Sequence, residues 1–335
     1  MRTYREILSG IIPGKYNWLV TGSAGFIGSH LTEALLSLGQ NVTGLDDLST
    51  GHKENIEHAL KSSGHEENFR FIEGTITDID TCNEAVKGAD YVLHHAAAVS
   101  VPESIQNPLR YHEVNTSGFM NILEASRKNR IKRVVYASSS AVYGDDETMP
   151  KTESITGRAL SPYAMTKYIN EIYAEFYTRV YELESVGLRY FNVFGVRQDP
   201  NGAYAAVIPK WVNAVIADKI PVFYGDGNAA RDFCSVHNVV LANILAAFNP
   251  DSSGRVFNIG CGVQTTLNEL LGKIYAVFAP EREVKAIHEK PRDGDILLSC
   301  ASIELAENVL KYKPVVYLEE GLKLLNEERK KMIHE

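Results

Sequence analysis

Three side chains in this sequence, Ser139, Tyr163 and Lys167, have the chemical types needed to take a proton from an alcohol. Tyr163 and Lys167 lie four residues apart on a predicted helix, which places them on one face of it. A phenol with an ordinary pKa of about 10 is a poor base at neutral pH, but a nearby ammonium favours the phenolate and lowers that pKa. Ser139 follows a predicted strand, and its hydroxyl could hydrogen-bond the substrate oxygen and share its proton. The set suits proton removal from an alcohol while a hydride leaves its carbon, although this tyrosine and lysine spacing alone is also compatible with an ordinary helix-face pair.

A glycine-rich turn near the N-terminus indicates where the hydride acceptor would bind. Residues 18–30 read WLVTGSAGFIGSH, an apolar run of strand length followed by glycines and then by apolar residues at helical spacing. A turn without Cβ atoms lets the backbone approach a phosphate, and the helix N-terminus behind it offers N–H groups and about half a positive charge. The alternative for the glycines alone is a tight turn between a strand and a helix.

Two aspartates strengthen the dinucleotide interpretation. Asp46 and Asp47 end the second predicted strand, at about the position where an acidic residue binds a ribose 2′-hydroxyl. A carboxylate at this position would repel the 2′-phosphate of NADP. The sequence therefore predicts NAD as the cofactor.

The elements that must hold these groups alternate between strands and helices from residue 17 onwards. Strands are predicted at 17–21, 41–45, 69–73, 91–95, 133–137 and 185–190, with long helices at 108–129 and 162–181. This order predicts an α/β fold, a Rossmann-type doubly wound parallel sheet with a smaller C-terminal substrate-binding α/β lobe. We expect residues 1–190 to form the NAD-binding domain, with segments near 230–260 crossing back to it. Residues 191–229 and 261–335 would form the substrate-binding lobe, and ligands would bind beyond the carboxyl ends of the strands.

The composition limits the partners and the compartment. The chain of 335 residues carries a formal net charge of −8, which disfavours nucleic acid or an anionic membrane as a partner. No apolar run has the length of a membrane span, and the first ten residues lack the apolar segment of a signal peptide. The cysteines are scattered and the histidines show no metal-binding spacing. We therefore expect a cytoplasmic protein without a metal site.

Four segments, TGSAGFIG, SSSAVYG, SPYAMTK and RYFNVFG, together resemble the extended short-chain dehydrogenase/reductase family, whose members act mostly on nucleotide sugars. The resemblance runs nearly end to end. Within the family, RYFNVFGVRQDPNGAYAAVIPKW and the following GDGNAARDF look most like the bacterial UDP-N-acetylglucosamine 4-epimerases. The resemblance makes the C-terminal lobe a nucleotide-sugar-binding lobe. It also implies a homodimer, paired through the helices that carry Asn115 and Tyr163.

The resemblance implies NAD-dependent 4-epimerisation of a UDP-N-acetylhexosamine (UDP-GlcNAc/UDP-GalNAc) through a transient 4-keto sugar. Tyr163 would take the 4-hydroxyl proton with help from Ser139 and Lys167, and Ser140 would also face the sugar. Nucleotide-sugar 4,6-dehydratases carry an Asp-Glu pair where this chain has Ser140 and Ala141, which argues against dehydration. The alternatives are 4-epimerisation of the uronic acid form or of UDP-glucose/UDP-galactose, a nucleotide-sugar reductase or dehydrogenase, and a non-catalytic NAD-binding regulator.

The resemblance also implies binding residues for the cofactor and for the substrate. Those expected at the cofactor are Gly22, Gly25, Phe26, Ile27, Gly28, Asp46, Asp47, Ser49, Thr50, Gly51, Thr75, Ile76, Ala96, Ala97, Ala98, Asn115, Tyr163, Lys167 and Tyr190. Those expected at the substrate are Ser100, Ser139, Ser140, Asn192, Ala206, Val207, Trp211, Val222, Tyr224, Arg231, Arg292, Asp295 and Ser299.

Several of these positions depart from the pattern of relatives or carry information on the sugar. Ser299 stands where glucose/galactose members can carry a tyrosine, and Val99 where they carry a lysine, so both favour an N-acetylated sugar. Small residues there are also compatible with dual specificity, and Trp211 is equally compatible with the core. The family usually has an aspartate at position 75 and commonly an asparagine at position 47. We expect Thr75 and Asp47 to tune NAD affinity.

Overall fold

The computed structural model describes residues 4–200, 206–290 and 297–334 of the chain. The strands are β1 (Asn17–Thr21), β2 (Asn41–Asp46), β3 (Phe69–Glu73), β4 (Tyr91–His94), β5 (Arg133–Ser139), β6 (Ser185–Tyr190), β7 (Val193–Phe194), β8 (Val222–Tyr224), β9 (Ala230–Arg231), β10 (Cys234–Ser235), β11 (Arg255–Ile259), β12 (Thr265–Thr266) and β13 (Ile287–Glu289). The helices are α1 (Tyr4–Ser9), α2 (Phe26–Ser37), α3 (Lys53–Ser63), α4 (Ile79–Val86), α5 (Val101–Gln106), α6 (Pro108–Tyr111), α7 (Gly118–Lys128), α8 (Pro162–Tyr181), α9 (Val207–Ile216), α10 (Val236–Phe248), α11 (Leu267–Phe278) and α12 (Leu318–His334).

The central sheet has seven strands in the order β11-β6-β5-β4-β1-β2-β3, and every pair of neighbours is parallel. The chain runs from β1 outward to β3 and then returns to start β4 on the other side of β1. This reversal opens a crevice beyond the carboxyl ends of β1 and β4, where ligands bind in doubly wound sheets. The predicted Rossmann-type fold is confirmed.

Both faces of the sheet are buried, which is why its strands are almost continuously apolar. In β1 the alternation of side chains sends Leu19 into a cluster with α4, α7 and α8, while Val20 joins a second cluster with α2 and α10. Strand β6 is buried at all six positions. The sheet is therefore a rigid platform whose strand ends hold the loops of the site.

The C-terminal region adds a third apolar cluster, built from α9, α11, α12 and β8 around Trp211 and Phe223. Three short strand pairs, β10-β7, β12-β9 and β13-β8, form two-stranded sheets that are separate from the main sheet. Strand β11 pairs with β6, and α10 packs on the same sheet, so the segment near 230–260 returns to the main sheet. The exact division into two lobes stays a prediction.

Two helical segments differ in detail from the predicted ones. The helix predicted at 108–129 consists of α6, a π-helical segment (His112–Ser117) and α7. The sequence does not reveal the π-helical segment, because this local change in hydrogen-bond register leaves the period of the apolar side chains almost unaltered. Helix α5 was not predicted, and it is separated from α6 by Asn107, whose backbone is not helical before Pro108. None of the helices in the described part of the chain has the length and apolar composition needed to cross a membrane.

Candidate active site

Helix α8 presents the tyrosine and the lysine to the end of β5. Its N-terminus is fixed by Ser161, whose hydroxyl accepts a hydrogen bond from the Ala164 N–H (3.1 Å), and by a proline in the first turn. The side chains of Tyr163 and Ser139 are hydrogen-bonded to each other. The Nζ of Lys167 donates to the Ala137 carbonyl (2.9 Å) and lies 5.9 Å from the centre of the Tyr163 ring. The structure thus brings Ser139, Tyr163 and Lys167 together.

Burial sets the charges of this group. It lowers the pKa of Lys167 to about 8, and the nearby Glu171 carboxylate opposes this change. It raises the pKa of Tyr163, and the hydrogen bond with Ser139 opposes that. Near neutral pH the lysine is therefore largely an ammonium and the tyrosine a phenol. A further positive charge beside the phenol, such as an oxidised nicotinamide ring, would favour its ionisation.

Ser138, Ser139 and Ser140 have three different environments, because Ser138 and Ser139 end β5, where side chains alternate between the faces, and Ser140 begins the turn after the strand. Ser138 is buried and its hydroxyl donates to Glu171 (2.5 Å). Ser139 shares its hydrogen bond with Tyr163 and also accepts from the Ala141 N–H (3.1 Å). Ser140 is half-buried in the turn that follows β5. Of the three, Ser139 has the contact with the tyrosine.

The glycine turn fits a dinucleotide at the end of β1. Gly22 has a φ of +70°, and a Cβ at this residue would lie 2.7 Å from the Ala96 nitrogen at the end of β4. A Cβ on Gly28 would lie 1.9 Å from the Gly22 carbonyl oxygen. Gly25, as the N-cap of α2, supplies no side-chain hydrogen bond to the helix, so the first-turn N–H groups of Phe26 and Ile27 are not capped by it. This cradle suits a pyrophosphate.

The carboxylate predicted for the adenosine ribose lies beside that turn. Asp46 ends β2, is 7% exposed, and accepts hydrogen bonds from the N–H groups of Ala24 and Leu48, each 2.9 Å. Burial raises its pKa, and these hydrogen bonds oppose the rise. Asp47 is exposed and accepts from the Ser49 N–H (2.9 Å). Acidic groups at this strand end fit the ribose of NAD better than the phosphate of NADP.

The remaining residues predicted for the cofactor lie along the same edge of the sheet. Ser49 and Thr50 are exposed, whereas Gly51 is buried against Ala24 and Asp46. Thr75 is half-buried in the turn after β3, where its hydroxyl lies 3.0 Å from that of Thr77.

Ile76 is buried beside Gly118 of α7. Residues Ala96, Ala97 and Ala98 lie in the loop between the end of β4 and α5.

Two other residues predicted at the cofactor make their polar contacts with the protein itself. The Asn115 side chain accepts from the Ala98 N–H (2.8 Å) and donates to the Ala98 carbonyl (2.9 Å). Asn115 thereby fixes the loop after β4. The Tyr190 hydroxyl contacts His95 and Asn243, each at 2.8 Å, beneath the same loop.

A cavity of about 480 Å³ opens beside the carboxyl end of β6. Seven of the residues predicted at the substrate line it, namely Asn192, Ala206, Val207, Trp211, Val222, Tyr224 and Arg231. Trp211 belongs to the core as well, since its indole N–H donates to the Val222 carbonyl (3.2 Å). Ser139, the last residue of β5, pairs in register with Tyr190, the last residue of β6. Asn192 follows two residues later, so it leaves the sheet at the same edge as Ser139 and Tyr163.

The other residues predicted at the substrate have different positions. The Ser100 hydroxyl caps α5 by accepting from the Glu103 N–H (3.2 Å). Ser299 is half-buried, and its N–H donates to the Ala230 carbonyl (3.0 Å), next to the cavity residue Arg231. Arg292 and Asp295 lie outside the described residues. Within the part of the chain that the structure describes, no three histidine, cysteine or acidic side chains are grouped to hold a metal ion.

Sequence reasoning missed one charged pair next to the site. Glu171 of α8 and Arg189 of β6 form a buried ion pair at 2.7 Å, with 7% and 3% of their side chains exposed. A spacing of four residues beyond Lys167 was a usable signal for Glu171. Arg189 gave no such signal, because its partner is set by the pairing of β5 with β6.

Comparison with known proteins gives a consistent result. Residues 18–260 match the model of the NAD dependent epimerase/dehydratase family. A UDP-glucose 4-epimerase of Mycolicibacterium smegmatis is 37% identical over 307 residues, which cover 91% of this chain and 95% of that protein.

Two solved structures show the same similarity in three dimensions. The UDP-N-acetylglucosamine 4-epimerase from Methanobrevibacter ruminantium, solved with UDP-N-acetylmuramic acid, is 38% identical with a TM-score of 0.87, covering 95% of this chain and 99% of that one. The UDP-glucuronic acid 4-epimerase from Bacillus cereus, solved with UDP-glucuronic acid and NAD, is 28% identical with a TM-score of 0.84, covering 94% and 99%. With its parallel sheet, its glycine cradle and these similarities, the chain belongs to the NAD dependent epimerase/dehydratase family.

Proposed function

We propose that this protein is an NAD-dependent 4-epimerase of UDP-linked hexoses, with UDP-N-acetylhexosamines as its preferred substrates. The observation that carries the proposal is the contact of Tyr163 with Ser139 and Lys167 at the strand ends between the glycine cradle and the cavity. The relatives support the reaction, because the enzymes named above are all 4-epimerases of UDP-sugars.

The proposed chemistry starts with a proton transfer at the Tyr163 hydroxyl. NAD, bound in the cradle of Gly22 and Gly28, would accept the hydride from C4 of the sugar and later return it. With oxidised NAD bound, Tyr163 would be ionised, and its phenolate, stabilised by the positive charge of the Lys167 ammonium, takes the proton of the 4-hydroxyl and becomes a phenol. Ser139, hydrogen-bonded to Tyr163, holds the sugar oxygen during the transfer. The 4-keto sugar formed in this way can be reduced again from its other face.

The residues after Ser139 favour epimerisation over elimination of the 6-hydroxyl. Elimination needs groups that move the C5 proton and protonate the leaving oxygen, and positions 140 and 141 hold a serine and an alanine. Epimerisation returns the hydride to C4 and the proton to the oxygen on C4, and it needs no further acid or base. Tyr163, with its two partners, therefore suffices.

The cavity supplies a matching site for the nucleotide. Trp211, Val222 and Tyr224 offer apolar and aromatic surface of the kind that holds a uracil ring. Arg231 lines the same cavity, and its Nη1 donates to the carbonyls of Ala230 (3.0 Å) and Leu297 (3.2 Å). A guanidinium held in this way is oriented for the diphosphate, since its planar fork forms paired hydrogen bonds with phosphate.

The preference for an N-acetylated sugar rests on Ser299 and Val99. Ser299 lies beside the Ala230–Arg231 strand, and its short side chain leaves room that a tyrosine would fill. Val99 is 64% exposed in the loop after β4 and adds no charge near the sugar. The M. ruminantium enzyme, which is named for an N-acetylated substrate, supports the same choice.

The test is an NMR time course with purified protein and no added cofactor, offering UDP-GlcNAc, UDP-GlcNAc uronate and UDP-glucose separately. We expect inversion at C4 of UDP-GlcNAc with no net NADH. Ser299→Tyr should suppress the N-acetylated substrate more than UDP-glucose, and Tyr163→Phe should abolish turnover while NAD stays bound. No inversion of any sugar, even with NAD added, would refute the epimerase assignment. Fastest conversion of the uronate or of UDP-glucose would refute the N-acetylhexosamine preference.

We also propose that the active protein is a homodimer. Helix α8 exposes Met165, Ile172, Phe176 and Val180 at helical spacing, and α5 and α6, which expose Ile105 and Leu109, pack beside it. A second copy of the chain would cover this apolar face, as the family resemblance implies. In a dimer with two-fold symmetry the two copies contact each other through the same surface, so the apolar face of one copy would pack against the identical apolar face of the other.

Sedimentation of the wild type and of Ile172→Glu tests this arrangement. Ile172 is 53% exposed, and Val284, which is 51% exposed in the segment between α11 and β13, gives a matched control in Val284→Glu. We expect a dimer mass for the wild type and the control and a monomer mass for Ile172→Glu. A monomeric wild type would refute the dimer, and an unaffected Ile172→Glu dimer would refute this face.

A further inference from the structure

One face of α8 contacts three consecutive residues of β5 through side chains spaced one turn apart. The contacts are Tyr163 with Ser139, Lys167 with the Ala137 carbonyl (2.9 Å), and Glu171 with the Ser138 hydroxyl (2.5 Å). The first two belong to the proposed reaction. The third lies deeper, and its contacts tie the helix to the residue that precedes Ser139.

Glu171 is itself held on its other side by Arg189. The Nε and Nη2 atoms of Arg189 donate to the two carboxylate oxygens at 2.9 and 2.7 Å. The Nη1 atom donates to the Tyr143 hydroxyl and to the Glu153 carbonyl, both at 3.1 Å. Arg189 lies opposite Ser138 in the register of β5 and β6. A buried pair of this kind is weak evidence for stability, because removing both charges from water is costly, and this directs attention to a functional role.

Glu171 lies one helical turn beyond Lys167 on the same side of α8, and its charge acts on the Lys167 ammonium. The titratable groups at the end of the neighbouring strand are His94, the last residue of β4, and His95, which follows it. Burial lowers the pKa of His95 to about 3 and that of His94 well below its usual range. Both histidines are therefore neutral throughout the range in which the enzyme would work. Tyr136 of β5 is neutral as well, because burial raises its pKa.

Tyr163, on the helix of Lys167 itself, is also a neutral phenol in the protein without cofactor, since burial raises its pKa. Arg189 of β6 contacts the carboxylate of Glu171. Of the groups named here, Glu171 is the one whose negative charge opposes the loss of the proton from Lys167.

We propose that Glu171, held by Arg189, is a positioning residue for the reaction: its carboxylate keeps Lys167 charged beside Tyr163 and anchors the strand that presents Ser139. This rests on the proposed function, in which the Lys167 ammonium favours the Tyr163 phenolate. Glu171 touches neither of the reacting oxygens. It acts on Ser139 through its hydrogen bond with the preceding residue, Ser138, and on Tyr163 through the charge of Lys167.

The test is Glu171→Gln, which keeps the size of the side chain and an acceptor for Ser138 but removes the charge. Without the carboxylate, Lys167 loses its proton at lower pH, so the alkaline limb of kcat/KM moves to lower pH. We expect kcat at pH 8 to fall by about tenfold or more, with partial recovery at lower pH and little change in KM. The phenolate absorbance that Tyr163→Phe lacks should titrate at higher pH in Glu171→Gln than in the wild type.

Two matched variants separate this effect from a structural one. Glu175→Gln makes the same substitution one turn further along α8, in an exposed pair with Arg179, and should leave both readouts unchanged. Ser138→Ala removes only the hydrogen bond to Glu171. It should lower kcat severalfold at every pH without moving the alkaline limb.

A folded Glu171→Gln protein whose alkaline limb and phenolate titration coincide with those of the wild type would overturn the proposal. If Glu171→Gln does not fold, the double variant Glu171→Met/Arg189→Met replaces the pair with apolar side chains of similar size, a change that buried ion pairs often tolerate. The same shifts in that variant support the proposal, and unshifted curves refute it. A wild type that epimerises no sugar would refute the proposed function separately, because the phenolate titration needs no substrate.

Discussion

The glycine cradle offers the sharpest structural prediction, the effect of Gly28→Ala on NAD binding. The added Cβ would lie 1.9 Å from the Gly22 carbonyl oxygen and 2.6 Å from the carbonyl carbon, whereas ordinary contact begins at 3.4 Å. The turn and the first turn of α2 must therefore separate by about 1.5 Å. Both neighbours are backbone atoms, so no flexible side chain can move away to relieve the overlap.

The size of the effect follows from that displacement. Overpacking of a tight site costs about 1–3 kcal/mol, and the same movement widens the cradle that the pyrophosphate occupies. A loss of this size in binding free energy corresponds to a weakening of NAD affinity by about 5- to 150-fold. NAD retained by the purified protein, measured after release by denaturation, should fall accordingly, together with the thermal midpoint.

The control is Gly272→Ala in the middle of α11, where a Cβ meets no atom within 4 Å. Alanine in a helix interior is more favourable than glycine by about 0.5–1 kcal/mol, so this variant should keep its NAD and be at least as stable as the wild type. If Gly28→Ala retained NAD and melted like Gly272→Ala, the argument from close backbone approach would be refuted.

Three further predictions concern the cavity, the sheet and the buried histidines. Trp211→Phe removes the N–H that donates to the Val222 carbonyl and leaves that carbonyl without this partner, which should lower the free energy of unfolding by about 1–3 kcal/mol. Calorimetry should also show weaker UDP binding. An unchanged Kd for UDP would contradict the role of Trp211 in shaping the cavity. Arg133→Gln removes the charge that pairs with Glu184 and the Nη1 that donates to the carbonyls of Ala246 and Asn249 at the C-terminal end of α10. The free energy of unfolding in urea should therefore fall by about 3 kcal/mol, and a loss below 1 kcal/mol would argue against this anchor. The pKa of His95 is about 3 in the folded protein, so below the ordinary pKa of histidine the unfolded chain binds a proton at His95 that the folded protein does not, and the free energy of unfolding falls as the pH falls. From pH 7.5 to 5.5 this residue should contribute about 1.4 kcal/mol of that loss. A His95→Asn protein with the same pH dependence of stability as the wild type would contradict this prediction.

The local elements were predicted from the sequence wherever a strong signal bounded them. Strands β1, β3 and β6 and helix α8 begin and end at the predicted residues, because each is an apolar or periodic run closed by polar residues, or by a serine cap and a proline. Helix α5 escaped prediction, since it is short and its cap, Ser100, was interpreted as a substrate residue. The π-helical segment escaped because it keeps the helical period of its side chains.

In the candidate site, too, some features were predicted from the sequence and others required the tertiary structure. The types and spacing of Tyr163, Lys167 and the serines were visible in the chain, as was the glycine turn. The environments of Ser138 and Ser139 depend on the face of β5 on which each lies, and that of Ser140 on the turn after the strand. The contacts of Asn115 depend on the packing of the loop after β4 against the π-helical segment. The roles assigned to the individual residues stay predictions.

The sequence by itself determined the elements, the parallel sheet and the residue types for NAD-dependent chemistry on an alcohol, because periodicity, caps and glycine turns act over a few residues. The tertiary structure alone decided which distant groups meet. Arg189 reaches Glu171 only through the register of β5 with β6, and the cavity forms only where residues 192–194 meet α9, β8 and β9. Such contacts join segments far apart in the chain, and their partners are fixed by packing, which no local pattern in the sequence records.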